Sequence, residues 1–241
     1  MKILMIDVGG TNVKLMASGR RSVVKIPSGR KLTASRMIKE VIKVTADWDY
    51  EAVTIGYPGV VVNGQPTSEP PNVGGGWLRV NFQKAFDMPV RFINDASLQA
   101  LAAHTSGRLL YLGFGTSTGA TLIVDDVIVP LEVGSLHLPH GKRFGKHLSD
   151  KEYQKRGKKR WRRTALTAIE LLREVFNPDT IILGGGNSDA ILPLPLNCKQ
   201  QDNRAAFRGA VRLWSGADML AEPYGASWRI TRKKPKRSRT S

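Results

Sequence analysis

Cysteine, acidic residues and long apolar runs are all scarce in this sequence, and each shortage narrows what the chain can be. A single cysteine, Cys198, excludes a disulfide framework and a cysteine-based zinc site. No apolar run approaches the ~20 residues that a membrane helix needs. The amino terminus meets Asp7 too soon for a secretory signal peptide, so a cytoplasmic protein with no membrane partner is expected. Neither standard nucleotide fingerprint is present. Residues 9–14, Gly-Gly-Thr-Asn-Val-Lys, lack the P-loop spacing, and no dinucleotide pattern follows the first apolar run. What remains is 241 residues with 41% hydrophobic content, enough for one large soluble domain or two small ones.

Only 20 acidic residues stand against 37 Lys and Arg, and the resulting +17 is concentrated in two blocks. Residues 142–163 hold eleven Lys and Arg against Asp150 and Glu152, and residues 229–241 hold seven with no acid. The rest of the chain is nearly neutral. The 229–241 tail cannot bury a core and is expected to be disordered, either simply solvated or in contact with nucleic acid or another polyanion. The inner block lies between folded segments and reads either as a solvated helix face or as a row that binds a polyanion.

Apolar runs at 2–6, 13–16 and 22–26 predict a meander of strands. Met37, Ile38, Val41 and Ile42 predict one helix face, capped by Thr33 or Ser35. Residues 52–55 predict a buried strand that 60–62 continue, 63–77 a long loop, 90–93 a strand ending at Asn94-Asp95, and 97–104 a helix. Then the plan starts again. Strands at 109–112 and 120–124 bracket a glycine-rich turn, and a long amphipathic helix ends at Phe176, with Val175 on its apolar face. A strand at 180–183 runs into Gly184-Gly185-Gly186-Asn187, and a helix at 203–214 follows. Both halves open with a β-run, a glycine-rich turn and a second β-run. Two related α/β lobes facing each other across a cleft are therefore predicted, 1–95 and 96–202, with helix 203–214 completing the first.

Residues 5–14, Met-Ile-Asp-Val-Gly-Gly-Thr-Asn-Val-Lys, hold the densest chemistry. Glycine lets a backbone approach a ligand closely, successive turn N–H groups form an anion-binding concavity, and Asp7 could hold hydrated Mg2+ near phosphate oxygens. An ordinary glycine-rich hairpin would read the same way.

In chain order the sequence presents Ile6-Asp7-Val8-Gly9-Gly10-Thr11, Gly56-Tyr57-Pro58-Gly59-Val60, Pro71-Asn72-Val73, Asn94-Asp95-Ala96, Phe114-Gly115-Thr116-Ser117-Thr118-Gly119, Glu132-Val133-Gly134 and Leu183-Gly184-Gly185-Gly186-Asn187-Ser188. Together these resemble the ROK family of sugar kinases, within the actin-like ATPase (ribonuclease H-like) α/β fold, and especially its polyphosphate glucokinase branch. The resemblance runs from about Ile3 to Leu213. It implies transfer of a phosphoryl group from polyphosphate, ATP or both to the 6-hydroxyl of glucose or a similar hexose, with Mg2+, by a homodimer. It implies Asp95 as catalytic base, although Asp95 could instead cap the following helix. Asn72, Asn94 and Glu132 become sugar ligands, or ordinary turn residues. Asp7, Gly9, Gly10, Thr11, Lys14, Gly115, Thr116 and Gly119 fall to phosphate and metal binding, and Gly184, Gly185, Gly186 and Asn187 to the nucleotide side.

The chain also departs from that pattern. Ser135 stands where the family's Glu-x-Gly is followed by histidine, and His137, two residues on, is either a substitute sugar ligand or mere drift. The family's cysteine-rich zinc motif is missing, as in the polyphosphate branch, which Pro178-Asp179 also resembles. A chain that starts directly at the first phosphate loop is expected to lack the DNA-binding domain of the family's repressors. The change at Ser135 supports a second expectation: a catalytically weakened regulator that binds a sugar or polyanion and associates with nucleic acid.

Overall fold

The first strand, β1 (Ile3–Val8), is buried on both faces, and this sets the layering around it. The structure is a computed structural model that describes residues 1–138, 141–202, 204–219 and 228–231. Side chains alternate along a strand. Leu4, Ile6 and Val8 therefore enter one core beneath helix α1 (Ala34–Val44), while Met5 enters another on the opposite face. Four more strands, β2 (Asn12–Ala17), β3 (Val24–Pro27), β4 (Ala52–Tyr57) and β5 (Val90–Asn94), complete a sheet of order β3-β2-β1-β4-β5. The β1–β2 and β2–β3 pairs are antiparallel, and the β1–β4 and β4–β5 pairs are parallel.

The second half repeats this arrangement. After helix α2 (Asp95–Ala103) come β6 (Leu109–Phe114), β7 (Thr118–Val124), β8 (Val127–Leu131), helix α3 (Asp150–Phe176), β9 (Thr180–Gly184) and β10 (Cys198–Gln200). Helix α4 (Ala205–Ser215), β11 (Ala217–Met219) and β12 (Trp228–Ile230) follow. The sheet order is β10-β9-β6-β7-β8-β12-β11, so its leading five strands copy the connectivity of the first sheet. The directions match as well, antiparallel toward β7 and β8 and parallel toward β9 and β10. Leu110, Leu112 and Phe114 pack under α3, and Leu109 and Tyr111 face the other way. Helices α2 and α4 fill the space between the sheets, in one core with Met5, Ile93, Tyr111 and Ile123.

Local chemistry explains where the elements begin and where expectation fails. Thr33 caps α1 by accepting from Arg36 N at 3.3 Å, and Ile42 is exposed, one step off the buried stripe. Residues 61–62 do not extend β4. Pro58-Gly59 turns the chain, and Val61–Val62 pair with Gln65–Pro66 in a separate ribbon. Residues 150–163 of the basic block form the start of α3, which Gly157 breaks with φ 75° and ψ 160°. Trp161 anchors that helix, edge-on to Phe114 at 5.6 Å and to Tyr153 at 5.3 Å, while Val175 faces solvent. Asp179 accepts from Arg108 N at 2.7 Å, so Pro178-Asp179 ties down a turn. Residue 229, expected to begin a disordered tail, lies instead in a strand. Trp228 and Ile230 are buried, Arg229 points outward, and all three lie in β12, while 232–241 lie outside the described residues. Among the described residues, no helix is long and apolar enough to cross a membrane.

Helices α2 and α4 meet backbone to backbone, because a Cβ on Gly209 would overlap the Leu98 carbonyl oxygen. Overpacking of this kind costs about 1–3 kcal/mol. Gly209→Ala should therefore lower the urea midpoint clearly. Gly216→Ala, whose nearest neighbour is 3.5 Å away, should leave it nearly unchanged.

Candidate active site

Two hairpin turns, one from each sheet, face each other. In the first, Gly9 N donates to Asn12 O at 3.1 Å, closing the turn between β1 and β2. A Cβ on Gly9 would stand 2.8 Å from that same oxygen, so the turn requires glycine. In the second, Gly115 N donates to Ser117 O at 3.2 Å, between β6 and β7. Gly10 sits between the loops, where an added Cβ would lie 3.2 Å from Asn72 Cβ and 3.8 Å from Thr116 Cγ2. A third turn, Gly185-Gly186-Asn187, follows β9. Gly185 has φ +84°, and Asn187 N donates to Phe114 O at 3.0 Å.

These turns enclose a cavity of about 380 Å³. It is lined by Asp7, Gly9, Gly10, Thr11, Lys14, Asn72, Asp95, Gly115, Thr116, Gly185, Gly186 and Asn187. Asp7 and Lys14 are partners across the β1–β2 ladder, with Lys14 Nζ 3.3 Å from Asp7 Oδ2. Asp95 opens α2 and is partly exposed to the cavity, its Oδ1 accepting from Ala96 N at 2.8 Å. Burial, and then the nearby Asp7 carboxylate, push the Asp95 carboxyl up to about 7. The Ala96 N–H and the Lys14 ammonium pull the other way and lose. A carboxyl poised near neutrality can take up a proton at working pH.

Several expected site residues lie elsewhere. The Asn94 side chain is committed to the fold, accepting from Ala96 N and Ser97 N as a helix cap and donating to Gly59 O at 3.2 Å. Glu132 is exposed and outside the cavity lining, although its charge reaches Asp95. Ser135 is exposed, and His137 lines a different cavity. Gly134 explains this segment, since its backbone packs against Gly145, where a Cβ would sit 3.0 Å from Gly134 O. Gly119 and Gly184 are spacers. A Cβ on Gly119 would lie 3.1 Å from Ala96 Cβ, and one on Gly184 would lie 2.5 Å from the Tyr111 hydroxyl.

The cavity also includes residues that sequence reading passed over, chiefly Gln99, Tyr111, Ser117 and Asp150. Tyr111 could have been found, being two positions before Gly113 and so on the same face of β6. Burial raises its phenol, which stays protonated. Asp150 gave no local signal. It arrives because its N–H donates to Gly115 O at 2.8 Å.

No family model matches the sequence, and no curated protein matches it. Solved structures do. An inorganic polyphosphate/ATP-glucomannokinase from Arthrobacter sp. strain KM has 24% identity and a TM-score of 0.74, over 87% of this chain and 96% of that one. A ROK family glucokinase from Streptomyces griseus, solved with glucose and AMPPNP, has 16% identity and a TM-score of 0.69, over 88% and 99%. The fold is that of the ROK sugar kinases. It is the actin-like ATPase fold expected from the motif order. A ROK family transcriptional regulator shares it too, at 16% identity and a TM-score of 0.62, over 87% of this chain and 79% of that one.

The raised Asp95 carboxyl has a consequence for stability. An unfolded aspartate releases its proton near pH 4, whereas folded Asp95 does so near 7. The folded chain therefore holds the extra proton between those values, and stability falls as pH rises through that window. Asp95→Asn should flatten this slope and stabilise the protein at pH 8 by up to about 4 kcal/mol. Chemical denaturation at a series of pH values reads the effect, and an unchanged slope would locate the titrating group elsewhere.

Proposed function

We propose that the chain is a ROK-family sugar kinase that moves a phosphoryl group from polyphosphate or ATP to the 6-hydroxyl of glucose or a similar hexose. The observation supporting this reading is that a carboxyl tuned to about 7 shares one cavity with three glycine turns. Phosphoryl transfer needs positioning and charge neutralisation more than covalent help. Asp95 accepts the proton of the sugar hydroxyl as the phosphoryl group arrives. The backbones of Gly9 to Thr11 and of Gly115 and Thr116 surround the phosphates, and Lys14 offsets their charge. Asn187, whose Nδ2 is buried without a hydrogen-bond partner among the described residues, is suited to donate to the donor phosphates. Tyr111 adds a hydroxyl that remains protonated.

Mg2+ fits this donor set in a limited way. Among the described residues, no three His, Cys, Asp or Glu side chains gather around a metal position. Mg2+ commonly binds through one or two carboxylates, waters and substrate phosphates. Asp7, its side chain 14% exposed at the cavity wall, would supply the carboxylate. When bound, the ion neutralises charge on the phosphates. Asp7 would hold the hydrated ion, and its own charge contributes to the raised proton affinity of Asp95.

A regulatory reading has one observation in its favour: Glu132, Ser135 and His137 all lie outside the cavity, which thins the sugar side. A panel crossing hexoses with ATP and polyphosphate decides between the two. Phosphorylation of at least one hexose is expected, and duplex DNA binding with no turnover on any donor would favour the regulator.

In the kinase reading, Asp95→Asn should lower kcat by roughly 10²–10⁴-fold with little change in sugar KM. The wild-type kcat/KM should fall on the acid side with a midpoint near 7, because the base must be ionised. A coupled assay from pH 5.5 to 8.5 measures both, and a flat profile or an active variant would remove Asp95 from the role.

A further inference from the structure

One polar group in the cavity belongs to none of its turns. Tyr111, on β6, is 4% exposed, and its ring is packed in the core between the two sheets. The ring lies between the ends of β6 and β9. A Cβ on Gly113 would stand 3.1 Å from its Cε1, and one on Gly184 would stand 2.9 Å from its Cε2. The hydroxyl makes no hydrogen bond to any described residue, yet it is not sealed in the core, so it opens into the cavity that Tyr111 lines. Two glycines thus leave room for an O–H that contributes no bond to the fold. A phenylalanine ring would fill the same space without an unpaired hydroxyl to desolvate. The hydroxyl feels the charge of Asp95 and then that of Asp7, and hydrogen-bonds to neither. Phenol and base therefore face one space without touching across it.

We propose that Tyr111 Oη donates a hydrogen bond to the terminal phosphate of the donor, the group that is transferred. The inference rests on the kinase reading of the cavity and adds a residue that holds the moving group. Position divides the work. Lys14 and the backbone of Gly9 to Thr11 belong to the first sheet and its hairpin, and Asn187 to the turn after β9. Tyr111 stands between them, and the charges it registers are those of Asp95 and Asp7. A phosphoryl group in line with a sugar hydroxyl at Asp95 comes within reach of a donor placed there. The phenol is neutral and stays protonated, so it donates to a phosphate oxygen at any working pH. A donor whose ring is already pinned needs no reorganisation as negative charge develops on the group in transfer. No bond to the phenol oxygen forms or breaks, and its proton stays in place.

Tyr111→Phe tests this in three measurements. Without ligand its melting temperature should be unchanged or higher, because the lost hydroxyl bonded nothing. A fall of several degrees would return the hydroxyl to the fold and overturn the proposal. In hexose phosphorylation, kcat should drop by about 10²-fold with little change in sugar KM. A raised sugar KM at unchanged kcat would overturn the proposal in favour of a sugar contact. Finally, wild-type protein with tyrosine isotope-labelled at Cζ is titrated with AMPPNP, inorganic tripolyphosphate and ADP, and followed by NMR. The chain has five tyrosines, and the resonance missing from the variant is that of Tyr111. Replacing the other four one at a time assigns the same resonance should the variant not fold. It should shift with AMPPNP or tripolyphosphate and not with ADP. A resonance that no probe moves, or that ADP moves equally, would overturn the proposal. An active wild type, an equally active variant and no shift would end the Tyr111 assignment and leave the kinase reading intact. A shift with AMPPNP or tripolyphosphate but no turnover on any donor would support the phosphate contact and end the kinase reading.

Discussion

The structure depends on where helix α2 is seated. It is the element that both sheets face, and its first residue is Asp95. On one side Ser97 Oγ and Thr121 Oγ1, both buried, lie 2.9 Å apart and link α2 to β7. On the other, Gly56 allows Leu98 close to β4, since a Cβ there would stand 3.0 Å from Leu98 Cδ2. Behind it, Gly209 brings the α4 backbone against that of α2, and α4 is tied to the first sheet by Trp214 Nε1 donating to Thr54 Oγ1 at 2.8 Å. Small residues at these contacts leave α2 little freedom to slide, and the carboxyl at its tip inherits that constraint.

The seat accounts for the electrostatics. A helix N-terminus ordinarily favours a carboxylate, by an amount of order 1 kcal/mol. Here the helix tip is enclosed between two sheets with another carboxylate, Asp7, in the same cavity, and both effects favour the protonated form. Burial outweighs the hydrogen bond from the Ala96 N–H at the helix end. Lys14 offsets part of the Asp7 charge from 3.3 Å, which keeps two acids tolerable in one small space. The arrangement is costly to the fold at neutral pH, and a cost concentrated at one side chain is common where chemistry takes place.

The glycine turns were legible in the sequence because their cause is local. A turn that needs an unhindered backbone shows as Gly-Gly or Gly-Gly-Gly after an apolar run, and Asp7, Gly9, Gly10, Thr11, Gly115 and Gly185 all reach the cavity. Residues whose place depends on distant packing were not legible. Asn94 follows a strand, as a ligand would, yet the helix beginning beside it needs a cap and takes the amide. His137 lies two positions beyond the expected histidine, and in a two-stranded ribbon pairing with Arg143 it belongs to the other cavity. Composition suggested that residue 229 begins a disordered tail, but Trp228 and Ile230 alternate inward in a strand held between β8 and β11 of the second sheet. The basic block was visible as charge, while its burial of Trp161 was not, because that depends on Phe114 from a strand some fifty residues earlier.

The repeated topology makes one further point about the cavity. In the first sheet a single rung of the ladder, Lys14–Asp7–Gly56, reaches its edge. The matching rung of the second sheet is Gly119–Gly113–Gly184. The same backbone thus presents a cation and an anion on one side and three hydrogens on the other. The three glycines do not bind anything by side chain. They make room for the Tyr111 ring, flanked by Gly113 and Gly184, and for Ala96 at the tip of α2. On these two rungs charge is therefore confined to the lobe that carries Asp7, and closeness of approach to the lobe that carries Tyr111. A duplicated fold with identical rungs would have put two carboxylates beside Asp95 or none; the one present, Asp7, adds to burial in raising the proton affinity of Asp95.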